Sequence, residues 1–110
     1  MKREVAVGSF VVMQVYRIRD QYRPQYLELL PTIVRSGMDL GCTFFDAYED
    51  DDVPNMFIEM MGFDSWTHYE RLRTIPPTRV MEQVSRSLEE WIEGGLDGVK
   101  ILHLQTRAVG

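Results

Sequence analysis

Cysteine is nearly absent from this chain: its 110 residues include one, Cys42. An intramolecular disulfide is therefore impossible, and no paired thiolates exist to hold a zinc ion. Cys42 reads as a small apolar packing residue. Cationic side chains are in deficit, with 12 Lys and Arg against 17 Asp and Glu, a formal net charge of −5. That balance argues against non-specific nucleic-acid binding, which works by neutralising phosphates. It equally disfavours adsorption to an anionic membrane. No apolar run approaches the ~20 residues of a membrane-crossing helix. The opening "MKREVAVGSFVVMQVYRIRD" starts basic and turns apolar, as a secretory leader does. Gln14 and Arg17 interrupt it and no small-residue cleavage site follows. It reads as a ragged start before a strand, and the expected location is the cytoplasm. Phosphate-binding loops, G-x-S-x-G elbows, Cys–His pairs and H-E-x-x-H are all missing.

What is present is a core. Hydrophobic residues make up 45% of the chain, enough for one domain spanning residues 1–110. The periodicity alternates between two kinds. Residues 9–18, "SFVVMQVYRI", are rich in β-branched and aromatic side chains and read as a strand. Helical spacing follows, with Tyr26, Leu27, Leu30, Ile33 and Val34 on one side. Asp20 is a candidate cap, Pro24 fits the first turn, Pro31 predicts a kink and Gly37 a stop. "CTFFDAYE", 42–49, and residues 55–63 form a hairpin across the acidic turn "DDDVPN". Asp64 or Ser65 caps a helix that "TIPPT" breaks; a longer amphipathic helix spans about 77–93, and a last strand 99–109. The order β-α-β-β-α-β predicts an α+β, ferredoxin-like fold: an antiparallel four-stranded sheet with its helices on one face.

Alternation along strands divides each into two sets. Met56, Ile58 and Met60 make an apolar set that suits the helix-covered face. The opposite set carries a polar residue in each strand: Gln14, Asp46, Glu59 and His103, among Phe10, Tyr16, Phe44, Tyr48, Phe57 and Ile101. Left bare, that aromatic face would exceed the apolar patches monomers usually expose. The expectation is that a second copy covers it, making a homodimer through the open sheet face, with the polar residues lining the enclosed space.

Tyr16-Arg17-Ile18 on the first strand, Met56-Phe57-Ile58-Glu59 on the third and Asp64-Ser65-Trp66 at the second helix resemble the dimeric α+β barrel superfamily. That group includes antibiotic-biosynthesis and heme-degrading monooxygenases. The likeness covers roughly residues 10–107 and extends to the barrel-type domain at the end of some major-facilitator exporters. It implies a homodimer and a small-molecule site. The heme-degrading members use an Asn on the first strand, a Trp on the sheet and a His on the second helix. Here Gln14, Trp66 at a helix start and an early His68 stand instead, so no cofactor is expected.

Glu59 is the candidate general base, because burial would raise its pKa toward the working range. A paired structural carboxylate is the competing reading. His103 is the second catalytic candidate, as a proton shuttle. Gln14, Tyr16, Asp46, Tyr48 and Phe57 are candidate substrate contacts. Asp46, Glu59 and His103 together would suit Fe, Mn or Zn, but they come from separate strands without diagnostic spacing, and no metal is expected. The functional expectation is a small-molecule-binding protein acting as a cofactor-independent monooxygenase on a small aromatic or apolar substrate. The alternative is a non-catalytic ligand-sensing or assembly domain.

Overall fold

The computed structural model describes residues 7–110; the ragged start expected before the first strand lies largely outside them. Four strands form one antiparallel sheet: β1 (Phe10–Arg17), β2 (Phe44–Glu49), β3 (Met56–Phe63) and β4 (Lys100–Gln105). Their order is β2-β3-β1-β4, that of the ferredoxin-like fold. Helix α1 (Arg23–Leu40) follows β1, and α2 (Trp66–Arg73) and α3 (Arg79–Trp91) follow β3. Among the described residues no helix is long and apolar enough to cross a membrane.

The expected elements are present, with shifted ends. Asp20 opens a short 3-10 turn, Asp20–Tyr22, rather than capping α1. The helix runs through exposed Pro31 without a break, and through Gly37, to Leu40. Gly41 ends it with φ +127°, a value that side chains disfavour. Gly37 serves packing instead, because a Cβ there would fall 2.3 Å from Cδ2 of Phe45. Ser65 caps α2 by accepting the His68 amide at 3.1 Å, and Thr78 caps α3 by accepting that of Met81 at 3.2 Å. β4 is shorter than expected, ending at Gln105.

The larger correction concerns which face the helices cover. Glu59 lies opposite Gln14 of β1 and Ala47 of β2, and Phe57 lies opposite Tyr16. Tyr16 and Phe57 both meet Tyr26 of α1, the latter at 4.5 Å between ring centroids. The mixed set is therefore the helix-covered one. The open face carries Val11, Met13 and Val15, with Ile58 and Met60 of β3, Leu102 and Leu104 of β4, and Phe44, Asp46 and Tyr48 of β2. Asp46 and Tyr48 thus leave the company of Glu59. The mixed set of β1 and β3 turns inward because Tyr26 supplies a hydroxyl from a helix, whereas Asp46 and Tyr48 turn outward because Ala47, not Asp46, pairs with Glu59. A mostly apolar face, with Asp46 and Tyr48 at its β2 edge, is the one left for another surface to cover.

The core between sheet and helices has two clusters. One gathers Tyr16, Ile18, Tyr26, Ile33, Phe57 and Ile92. The other gathers Phe10, Val12, Cys42 and Phe63. The β2–β3 hairpin is fastened to α1 by Asn55, which is buried and held at φ +66°. Its amide donates to Glu49 at 2.9 Å, its side-chain oxygen accepts from Arg23 at 2.8 Å, and its Nδ2 donates to Asp20. Arg23 also grips Glu49 with both guanidinium nitrogens. Arg23 and the Asn55 amide hold the Glu49 carboxyl down at about 2. Replacing Asn55 by Ala removes these bonds and forces a Cβ-bearing residue without a local hydrogen bond into the left-handed region. We expect a loss of roughly 2–3 kcal/mol in urea unfolding. Asn55→Gly, free of the backbone strain, should lose about 1 kcal/mol less.

Candidate functional site

Glu59 sits mid-strand in β3 and is 5% exposed. A carboxylate so placed needs hydrogen bonds, because the interior solvates charge poorly. Tyr16 supplies one by donating its hydroxyl to Oε2. The Tyr16 and Tyr26 hydroxyl oxygens are 2.6 Å apart. Since Tyr16 spends its proton on Glu59, Tyr26 donates to Tyr16, and two phenols point in series at one carboxylate. Burial, and then the adjacent Glu59 charge, push the Tyr16 hydroxyl well above its ordinary value, and burial does the same to Tyr26. Both stay protonated donors. Burial raises the Glu59 carboxyl, and the Tyr16 hydrogen bond offsets part of the rise.

The second oxygen of Glu59 has no hydrogen-bond partner among the described residues, yet no buried side-chain polar atom there lacks one. Oε1 therefore faces reachable space. That space is a cavity of ≈ 230 Å³ between the sheet and all three helices, and Glu59 and Gln14 line it. It lies between the two core clusters: Ile33, Phe45 and Val84 border it on one side, Val12, Cys42, Phe63 and Leu72 on the other. Ser36, Tyr69, Arg73 and Ser85 add polar groups. Burial pushes the Cys42 thiol up to about 11, so it is no nucleophile at neutral pH. For scale, an apolar cavity of about 150 Å³ accommodates benzene. The space here suits a single substituted ring.

The expected site residues separate into three groups. Gln14 and Glu59 are opposite each other and share the cavity. Tyr16 and Phe57 are buried behind Glu59, supporting it. Asp46 and Tyr48 lie on the open face, bonded to each other at 3.1 Å. His103 is on the helix side but does not line the cavity. It is exposed near the sheet edge, within 5.5–5.6 Å of the rings of Phe10, Trp66 and Tyr69. Asp46, Glu59 and His103 are thus not one ligand set, and among the described residues no three His, Cys, Asp or Glu are grouped to hold a metal ion. Ser36 and Ser85 carry no signal in the sequence, and Tyr26 reads there only as one member of a helix's apolar side. A tyrosine amid the apolar stripe of α1 was the one available signal, since a buried phenol seeks a partner.

Glu59 also makes stability pH-dependent. Its carboxyl titrates higher folded than unfolded, so the folded state holds that proton more firmly. The associated stability is intact below the ordinary carboxylate value and is lost as pH rises through the raised one. Glu59→Gln keeps an oxygen for Tyr16 and cannot ionise. We expect the variant to melt higher than the parent near pH ~8 and equally near pH ~4 in paired thermal scans. At this chain length ~1 kcal/mol moves Tm by roughly 4 °C.

No protein-family model matches the chain, and no curated protein does. Solved structures do. A conserved protein from Methanosarcina mazei Go1 superposes with TM-score 0.73 at 9% identity, over 92% of this chain and 95% of its own. A candidate antibiotic biosynthesis monooxygenase from Nitrosomonas europaea gives 0.72 at 11% identity, over 93% of each chain. A protein described as an antibiotic biosynthesis monooxygenase gives 0.70 at 13%, over 92% of this chain and 99% of its own. At these identities the likeness is one of fold. The chain carries the α+β, ferredoxin-like fold of antibiotic-biosynthesis-monooxygenase-type structures, as its strand-one, strand-three and helix-start motifs led one to expect.

Proposed function

We propose that the protein binds a single-ring hydroxylated aromatic molecule in the sheet–helix cavity and oxygenates it without a bound cofactor. The observation that carries this reading is the unpartnered oxygen of Glu59, a carboxylate with a raised pKa facing a mostly apolar space. A base tuned upward is matched to removing a phenolic proton near neutral pH. The phenolate then supplies the electrons for dioxygen. A ring carbon bonds one oxygen atom, giving a hydroperoxide; the O–O bond breaks as water leaves, and the carbon becomes a carbonyl. Phenol and dioxygen become quinone and water, and no external reductant enters. Gln14, opposite Glu59, holds the substrate oxygen. The names of the fold neighbours support this chemistry as a class.

Oxygen-electrode assays with a series of substituted phenols test it. We expect uptake with at least one, and a ~10²-fold or greater loss of kcat in Glu59→Gln with the fold retained. Unchanged uptake in the variant would remove Glu59 from the chemistry. Tight binding with no oxygen consumed would support the ligand-sensing alternative instead.

The protein also works, in this reading, as a homodimer through its open sheet face. Met13, Val15, Ile58, Met60 and Leu102 are only half-buried there, and Tyr48 remains 49% exposed. A contiguous apolar sheet face of this kind requires cover. Light scattering should give twice the 12.9 kDa chain mass. Ile58→Glu, which sets a charge mid-face, should shift the species toward monomer; a strictly monomeric parent would refute the interface.

A further inference from the structure

The cavity has a second charged residue, and its sign is opposite to that of Glu59. Arg73, the last residue of α2, lines the same space and carries the one cation among the lining residues. Its guanidinium lies 5.5 Å from the Tyr69 ring centroid, and Tyr69 also lines the cavity. The Tyr69 ring face attracts the guanidinium to this position, and a guanidinium has five N–H donors to offer a ligand. Among the described residues it pairs with Glu70 at 3.1 Å, where both side chains are well exposed, 57% and 42%. Exposed pairs of this kind contribute little, so a ligand carboxylate exchanges with Glu70 at small cost.

Resting on the binding reading above, we propose that the substrate is an aromatic acid: one ring bearing a hydroxyl at one end and a carboxylate at the other. The hydroxyl meets Glu59 and Gln14 at the buried end. The carboxylate meets Arg73 at the rim, where water also reaches it. Two features fix this orientation. A carboxylate placed beside Glu59 would set two like charges together in a poorly solvating space, whereas at Arg73 it gains a paired, two-point contact. The ring between them packs on Phe45, Met61 and Leu72. Arg73 is thus the residue that selects acids over neutral phenols.

Isothermal titration of matched pairs tests this: para-hydroxybenzoate and para-hydroxyphenylacetate against their neutral amides. In the parent protein at least one acid should bind about tenfold more tightly than its amide. Arg73→Gln should bring that ratio near unity by weakening the acid alone. Glu70→Gln, which releases Arg73 from its competitor, should tighten the acid and leave the amide unchanged. An acid–amide ratio near unity in the parent, or one that survives in Arg73→Gln, would overturn the assignment while leaving the cavity as a binding site. Failure of every acid and amide to bind would overturn both.

Discussion

A carboxylate buried beside a phenol chain is the constraint around which this domain is arranged. Glu59 cannot be left among Phe57, Met61 and Val12 without a donor, since desolvating a carboxylate is costly. The donor is Tyr16, on the neighbouring strand, and Tyr16 in turn is satisfied by Tyr26, on the helix above. Three elements, β1, β3 and α1, are therefore tied by two hydrogen bonds in series. Tyr26 is also fully buried and packs its ring on Phe57. The same side chain thus supplies apolar area to the core and a proton to the polar chain. A Phe at either tyrosine would keep the packing and break the series.

The cavity that Glu59 faces follows from the way the second helical segment is broken. Pro76 and Pro77 interrupt it, because proline cannot donate into a continuing helix and disfavours helical geometry before it. α2 then covers the cluster around Phe10 and Phe63, while α3 covers the one around Tyr16 and Ile92. A continuous helix would have to favour one cluster over the other. Gly37 adds to the room by letting the Phe45 ring lie against the α1 backbone. The void therefore sits at the seam between two well-packed halves, and its lining is drawn from both. An internal space of this kind forfeits packing that a closed core would gain, so its presence is more readily understood through ligand binding than through stability.

Element types and their order were legible in the sequence because they rest on local signals. The change of period from two to 3.6, the Asp64–Ser65 cap and the "TIPPT" break all lie within a few residues of what they specify. The register of Gln14, Glu59, Tyr16 and Phe57 comes from the ladder, but their grouping on one face followed from alternation along β1 and β3. The direction of that face did not, because it depends on Tyr26 arriving from α1. Asp46 and Tyr48 were misplaced for a related reason. The phase of β2 relative to β3 is set by the hairpin, where Asn55 in the left-handed region and the Asp50 cap of the Asp52 and Val53 amides fix the turn. The strand residues themselves carry no mark of that phase. Nothing in the sequence around Arg73 marks it as a contact for a carboxylate, since a basic residue ending a helix is common and suits the helix dipole.

The same alternation that made the faces hard to assign makes their separation strict once the ladder forms. A one-residue slip of β3 against β1 would turn Glu59 onto the open face, which already carries Asp46, and would take from the buried Tyr16 hydroxyl its carboxylate acceptor. It would also move Gly62 from beneath the Phe44 ring, where a Cβ would lie 2.2 Å from that ring's Cε1. Register is thus pinned near the middle by a polar contact and at the end by a missing side chain. Buried ionisable groups are often poor contributors to stability and good contributors to specificity. Glu59 fits both halves of that rule: ionised, it lowers the stability of the native state, and it makes the neighbouring registers worse still. The group that selects one register of the sheet is then also the group presented to the cavity, so the geometry of the site is fixed by the interaction that fixes the fold.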